Sequence, residues 1–374
     1  MNLLARYLQR VDWLLIAAAF VLFAFGISAI YSVELSRGAA EFTLIRKQAI
    51  ALLLGLALAA VVTRTNYQLF RNYGRGLYFL GVLSLIAVLL FGRTLNGSTG
   101  WFVIGGFAFQ PIEFMKLALI AELARYFGEH ARRRFSWVDF GKSGLITLIP
   151  IGLAMLEPDL GGAMLLGAIW LVMVFFAGAR WTHIGALVLV ALAAFLLGWF
   201  VIFEDYQKER LMTFMNPASD PLDTGYNVTQ AKIAIGAGGI LGRGLGSGSQ
   251  SQLRFLPEAQ SDFVFAVIAE ELGFLGVTVV IAAVALLLMR LLATARGTRD
   301  TFAAFLVLGV FALCLAQAVV HIGANLSLLP ATGVALPFVS YGGSSLLLSA
   351  VALGVAQSVA VTVTPGRRAE GVVL

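Results

Sequence analysis

Long apolar runs alternate along the chain with short polar connectors. Runs of roughly 20 apolar residues with few charges read as membrane-crossing helices. Ten such segments occur, near 11–31, 44–63, 77–92, 111–127, 144–156, 160–178, 183–203, 262–290, 302–327 and 335–363. The fifth and sixth are parted only by Glu157, Pro158 and Asp159. Proline lacks an amide donor and blocks the helix running through it, so the pattern predicts two helices there. The first run follows Arg6 and Arg10 as a signal peptide would, yet it is longer than the roughly 7 to 15 apolar residues of such a segment, and further spans follow; it is expected to be retained. The expected architecture is an all-α integral membrane protein. It is a polytopic bundle of about ten transmembrane helices forming a single membrane domain over 1–374, with a long extracytoplasmic loop at about 204–261 between helices seven and eight.

Composition agrees with that pattern. The chain is 60% apolar and 12% charged, with a mean hydropathy of +0.90, where a soluble domain carries roughly 25% charged residues. Alternating the loops from a cytoplasmic N-terminus gathers most Lys and Arg on the inner side, among them Arg64, Arg71, Arg75, Arg132, Arg133, Arg134, Arg180, Arg296, Arg299, Arg367 and Arg368. The positive-inside rule then predicts that both termini are cytoplasmic. The net charge of +6 is explained by anchoring to anionic lipid, so no nucleic-acid partner is expected. Cys314 is the only cysteine, which excludes an internal disulfide and a cysteine-based metal site. His130, His183 and His321 show no zinc-type spacing and each reads as structural.

The long loop contains NPASDPLDTGYN, rich in turn formers, and then TQAKIAIGAGGILGRGLGSGSQSQL, a short apolar segment followed by alternating glycines. Neither GK[ST] nor a GxGxxG after a strand is present, so nucleotide binding is unsupported and a flexible or re-entrant loop is the expectation. No internal repeat with matched broken helices is visible, which weakens a transport reading.

In the predicted topology every even-numbered helix starts at the outer face, and the unusual polar residues fall there. Arg46 and Lys47 open the second helix, Glu113 and Lys116 the fourth, Asp159 the sixth, Asp262 the eighth, and Ser340 with Tyr341 lies near the start of the tenth. A charge at mid-depth costs roughly 2.5 to 3.5 kcal/mol on insertion scales, so these side chains are expected to face protein or a wet cavity. Glu113 and Lys116, three apart, share a helix face and read equally as a structural ion pair or as cavity lining. Asp159 reads first as a cap of the sixth helix, and Asp262 stands where a cap or a catalyst would stand. At 100° per residue, Glu270 lies near the face of Asp262 and Glu271 opposite, so Glu270 is expected to share the cavity and Glu271 to need another partner.

Five stretches carry a resemblance: GSTGWFVIGGFAFQPIEFMKL, EPDLGGA, NPASDPLDTGYNVTQAKIAIGAGGILGRG, SQSQLRFLPEAQSDFVFAVIAEELG and LLPATGVALPFVSYGGSS. With them the chain resembles the SEDS family of bacterial cell-wall polymerases (shape, elongation, division and sporulation) over nearly its whole length. SQSQLRFLPE looks more like the elongation branch than the division branch. Departures occur at Gln260 and Ser261, where the family usually has His-Thr before the aspartate, at Glu157, usually glutamine, and at His321, often asparagine.

The resemblance implies a glycosyltransferase that polymerises lipid II on the outer face of the cytoplasmic membrane, inverting the donor's α-linked pyrophosphate to a β-1,4 linkage. The acceptor hydroxyl needs a base, and Asp262 is the candidate. The pyrophosphate leaves as a stable anion, so positive charge is wanted rather than a second acid. Arg46, Lys116, Arg210, Lys232 and Arg243 are the candidates, with Glu113, Asp159, Glu258, Glu270, Ser340, Tyr341 and Ser344 lining the cavity. No tightly bound cofactor is expected; a divalent cation, Mg²⁺ or Mn²⁺, would suit the phosphates. Implied partners are lipid II and its undecaprenyl-pyrophosphate-linked glycan, a single-pass class B penicillin-binding protein and other elongation-complex proteins. A lipid-linked precursor flippase and a membrane scaffold are the rival readings.

Overall fold

The structure is a computed structural model that describes residues 9–36, 42–95, 98–104, 107–131, 133–197, 199–200 and 224–362. Ten helices answer to the ten predicted segments. They are α1 (Trp13–Ser36), α2 (Thr43–Arg64), α3 (Gln68–Phe91), α4 (Pro111–His130), α5 (Trp137–Leu156), α6 (Leu160–Phe176), α7 (Trp181–Leu197), α10 (Val264–Gly297), α11 (Thr301–Asn325) and α12 (Gly343–Thr362). Two more, α8 (Thr224–Gly238) and α9 (Ser249–Gln252), lie in the long loop. By length and composition, 7 helices are apolar enough to cross a membrane. Large apolar side chains such as Leu53, Phe79 and Leu90 are exposed, as a lipid-facing surface requires.

α11 is the central helix: 78% of its apolar window is buried, against 17% for α2 at the periphery. It packs against α4, α6 and α10, while α2 lies along α12 and α1 along α10. The helix starts are specified locally. Pro111 stands in the first turn of α4. Ser136 and Asp139 form a reciprocal capping box on α5. Asp159 accepts from Gly162 N–H at the start of α6, and Asp300 from Phe302 N–H at the start of α11.

Four expectations are corrected. Three short antiparallel strands, β1 (Arg93–Leu95), β2 (Ser98–Ile104) and β3 (Phe107–Phe109), occupy the connector after α3. The tenth helix starts at Gly343 instead of 335, because Pro330 and Pro337 keep the preceding stretch irregular. Within the described part of the long loop, 224–261, two helices form: α8 packs on α10, and Ala231 and Ala234 are fully buried. The eighth helix starts at Val264 and is broken at Gly273, whose φ of 64° and ψ of −164° belong to glycine. At that break the loop pairs with the helix backbone: Arg243 and Gly244 N–H donate to the Glu270 and Glu271 carbonyls, and Phe274 and Leu275 N–H to Gly239 and Ile240.

Candidate active site

Chain direction places the starts of α2, α4, α6, α10 and α12 at one end of the bundle, and side-chain hydrogen bonds join them there. Gln48 on α2 donates to the Ser340 carbonyl at 3.2 Å and accepts from Gly342 N–H at 3.3 Å. Ser344 on α12 donates to the Ala108 carbonyl of β3 at 2.9 Å and accepts from Gln110 N–H at 3.4 Å. The Gln110 amide then donates to Asp159 at 3.1 Å. Gly161, one turn on, meets the Thr332 carbonyl so closely that a Cβ would collide with it.

The irregular stretch before α12 also holds Asp262. Ser340 donates to the Ser261 carbonyl at 2.8 Å and accepts from Leu336 N–H at 2.9 Å, and Tyr341 N–H donates to the Gln260 carbonyl at 2.9 Å. From α11, Asn325 donates to the carbonyls of Asp262 at 3.0 Å and His321 at 2.9 Å, and accepts from Ala266 N–H at 3.1 Å. The backbone around Asp262 is thus clamped from two sides. Its carboxylate lies in a small pocket walled by Phe263, Val320, His321, Ala324 and the stretch 331–334. Gly333 contributes to that wall at a φ of 70°; a Cβ there would lie 3.8 Å from an Asp262 oxygen.

The capping reading of Asp262 is corrected. The residue before the helix is Phe263, whose side chain makes no cap, and the first-turn amide of Ala266 donates to Asn325 and not to Asp262. Asp262 N–H instead donates to the Glu258 carbonyl at 3.0 Å. Burial first, and then the charge of Glu258, push the Asp262 carboxyl up to about 6, against a smaller pull from Ser261. Glu258 is exposed and in the left-handed region at φ 49°; its carboxylate accepts from Ser261 at 2.9 Å and Gln260 at 3.1 Å.

Beside this pocket lies a cluster of charge between α4 and α6. Lys116, 2% exposed, donates to Glu113 at 2.7 Å. One of its three ammonium donors is thereby taken by a carboxylate, and the amine is buried away from the surface. Burial raises the Asp159 carboxyl above its usual range, opposed by Gly162 N–H and by the Lys116 charge. Burial and the neighbouring Asp159 push Glu157 up to about 8.

The remaining candidates do not line the Asp262 pocket. Glu270 accepts from Gln250 N–H at 2.8 Å and Ser251 N–H at 3.1 Å at the start of α9, so it holds the loop and does not line the Asp262 pocket. Glu271 accepts from Ser32 of α1 and from Ser251 at 3.1 Å, which identifies the partner it was expected to need. Arg46, Lys232 and Arg243 are exposed, Arg243 donating to the Ala237 carbonyl. Arg210 lies outside the described residues. Sequence reasoning missed Gln48, Gln110 and Asn325; the available signal was a primary amide near a helix end at the polar end of the bundle.

Comparison with known proteins supplies the context for this geometry. Residues 12–364 match a family of cell cycle proteins that comprises FtsW, RodA and SpoVE. A probable peptidoglycan glycosyltransferase FtsW of Trichlorobacter lovleyi is 38% identical over 93% of this chain and 92% of its own length. The peptidoglycan glycosyltransferase MrdB of Escherichia coli K12 is 36% identical over 82% of each. Among solved structures, a peptidoglycan synthase complex described as coordinating polymerization and crosslinking matches with a TM-score of 0.80 at 34% identity, covering 94% of this chain and 97% of that one. The rod shape determining protein RodA of Thermus thermophilus matches with a TM-score of 0.69 at 31% identity, covering 94% and 96%.

Proposed function

This chain belongs to the FtsW, RodA and SpoVE family and is a peptidoglycan glycosyltransferase; from that premise we propose that lipid II is its substrate and Asp262 its general base. The observation that carries the assignment is the Asp262 carboxylate itself: half-buried, facing a pocket at the polar end of the bundle, and titrating near neutrality at about 6. A base works best with a pKa near the operating pH, where it is ionised yet still attracts a proton.

In this reading Asp262 takes the proton of the acceptor sugar hydroxyl as that oxygen attacks the donor's anomeric carbon and the pyrophosphate departs. The clamp from Asn325 and Ser340 keeps the carboxylate in register with the reacting atoms, since small misplacements at such a site cost heavily in rate. The buried Lys116–Glu113 pair organises Asp159 and the neighbouring wall. Phosphate charge is met by the exposed cations Arg46, Lys232 and Arg243, with Arg210 as a further candidate. Among the described residues no group of three or more His, Cys, Asp and Glu is placed to hold an ion. A divalent cation such as Mg²⁺ or Mn²⁺ would therefore arrive with the substrate phosphates, a common arrangement for Mg²⁺.

The protein is a multi-pass membrane protein; we place the Asp262 end outward and both termini in the cytoplasm on the distribution of Arg and Lys. The neighbour solved as a synthase complex supports a penicillin-binding transpeptidase as partner. The stretch SQSQLRFLPE supports an elongation role for that pair. The test of the base is direct: supply the purified full chain with lipid II and resolve the glycan products. Asp262→Ala is expected to lose about 10²- to 10⁴-fold in rate; polymerisation at the parental rate by that variant would end the assignment.

A further inference from the structure

His321 lies on α11 in the wall of the Asp262 pocket, and the reading above gives it no part. It is 2% exposed. Its Nδ1 stands 2.8 Å from the Val334 carbonyl oxygen, which can only accept, so Nδ1 carries the proton and Nε2 is left as a bare acceptor. Nε2 is buried and has no hydrogen-bond partner among the described residues. Buried acceptors are nearly always satisfied, by protein or by ordered water. The backbone of the same residue is fixed from the other side, because Asn325 donates to the His321 and Asp262 carbonyls together. One amide thereby sets the register between the imidazole and the carboxylate. The pocket they share has room for about one water-sized guest, and its other walls, including 331–334, bring no titratable side chain.

We infer that His321 is a positioning residue for glycosyl transfer: its Nε2 anchors a water molecule in this pocket, and that water donates its second hydrogen to the Asp262 carboxylate. This rests on Asp262 being the base. The chemistry balances without any further group, since a water has two hydrogens to give and the two atoms it would bridge are both acceptors. A hydrogen bond donated to a carboxylate favours its ionised form. The anchored water therefore opposes the two influences that raise Asp262, burial and the charge of Glu258, and holds the base ready near neutral pH.

The sign follows. An ionised base is needed, so activity rises with pH through the Asp262 titration and then levels. Removing the water's anchor raises that titration, and the acid limb moves to higher pH. Two substitutions separate the halves of the ring. His321→Asn retains a donor for Val334 but no atom at the ε position; His321→Gln reaches the ε position with an acceptor oxygen. The pH profile of kcat/KM for lipid II polymerisation is to be measured for the full chain and both variants in proteoliposomes, with thermal unfolding to verify folding.

The expected result is an acid limb near 6 for the parent, shifted up by roughly half to one pH unit in His321→Asn and restored in His321→Gln. At pH 5.5 that shift reads as a loss of roughly three- to eightfold beyond any change in plateau. A limb that stays in place in His321→Asn, or a uniform loss at all pH values in both variants, overturns the inference and leaves the base standing. A parent profile without an acid limb, or polymerisation by Asp262→Ala, overturns the base and the inference together.

Discussion

The two ends of the helix bundle handle charge in opposite ways. At the end where α1, α5 and α11 start, carboxylates meet cations. Asp12 pairs with Arg290 at 2.8 Å, Glu122 and Glu129 with Arg125 at 2.6 and 2.8 Å, Asp139 with Arg133, and Asp300 with Arg71 at 3.8 Å. Asp139 accepts in addition from Tyr126 at 3.0 Å and from Ser136. At the other end Lys116–Glu113 is the one ion pair among the described residues, and Asp159, Glu258 and Asp262 lie at the same end with no salt-bridged cation among the described residues. A carboxylate closed by protein donors can only stabilise. One raised in pKa and left facing a pocket retains a lone pair for chemistry, at a cost that the rest of the fold offsets.

Substitutions can break this contrast, and the largest expected effect is at Asp262. Asp262→Ala should remove most polymerisation while leaving the thermal transition in place; a variant that unfolds several degrees lower would make Asp262 one more structural acid. Lys116→Met comes next, because it strands Glu113 in a buried site. Breaking such a pair typically costs about 3 to 5 kcal/mol, to be read from chemical unfolding in detergent, and an unchanged midpoint would show that the pair is already wet.

A smaller effect is expected at Glu270, whose bonds to Gln250 and Ser251 are charge-assisted. Glu270→Gln should release α9 at a cost of roughly 1.5 to 3 kcal/mol, seen as faster hydrogen exchange over 249–252, with Asp262 chemistry retained. At the opposite end, Asp139→Ala removes a capping box and should lower stability by about 1 to 2 kcal/mol with turnover per folded molecule preserved. A loss of turnover there would blur the division between the two ends. The smallest change is one of profile: kcat/KM should rise through a single acid limb near 6, since Asp262 must lose its proton to act. A limb near 4 would place the base in ordinary solvent exposure.

Much of the fold was legible along the chain. A segment of roughly 20 apolar residues must span or aggregate, so local composition determined all ten helices and their alternating directions. It also determined that charge collects toward the two ends, because lipid disfavours it between them, and Pro158 separated α5 from α6 by local geometry alone. Spacing turned Glu271 away from Asp262 correctly but failed at Glu270, where a uniform 100° per residue assumed a helix running from Asp262. The helix starts only at Val264, so Asp262 lies off the wheel that carries Glu270.

What only the tertiary structure decided depends on hydrogen bonds that join residues far apart in sequence. Glu271 finds Ser32 across 239 positions, and Gln48 finds Ser340 across 292. The pocket of Asp262 is walled by α11 and the stretch 331–334, neither of which is adjacent to it in the chain. Hydropathy reports the transfer of each residue from water to lipid and therefore fixes spans. It carries no information on which buried polar atoms satisfy one another, and that pairing separates Asp262, which faces a pocket, from the carboxylates eight and nine residues further on, which are closed by protein donors.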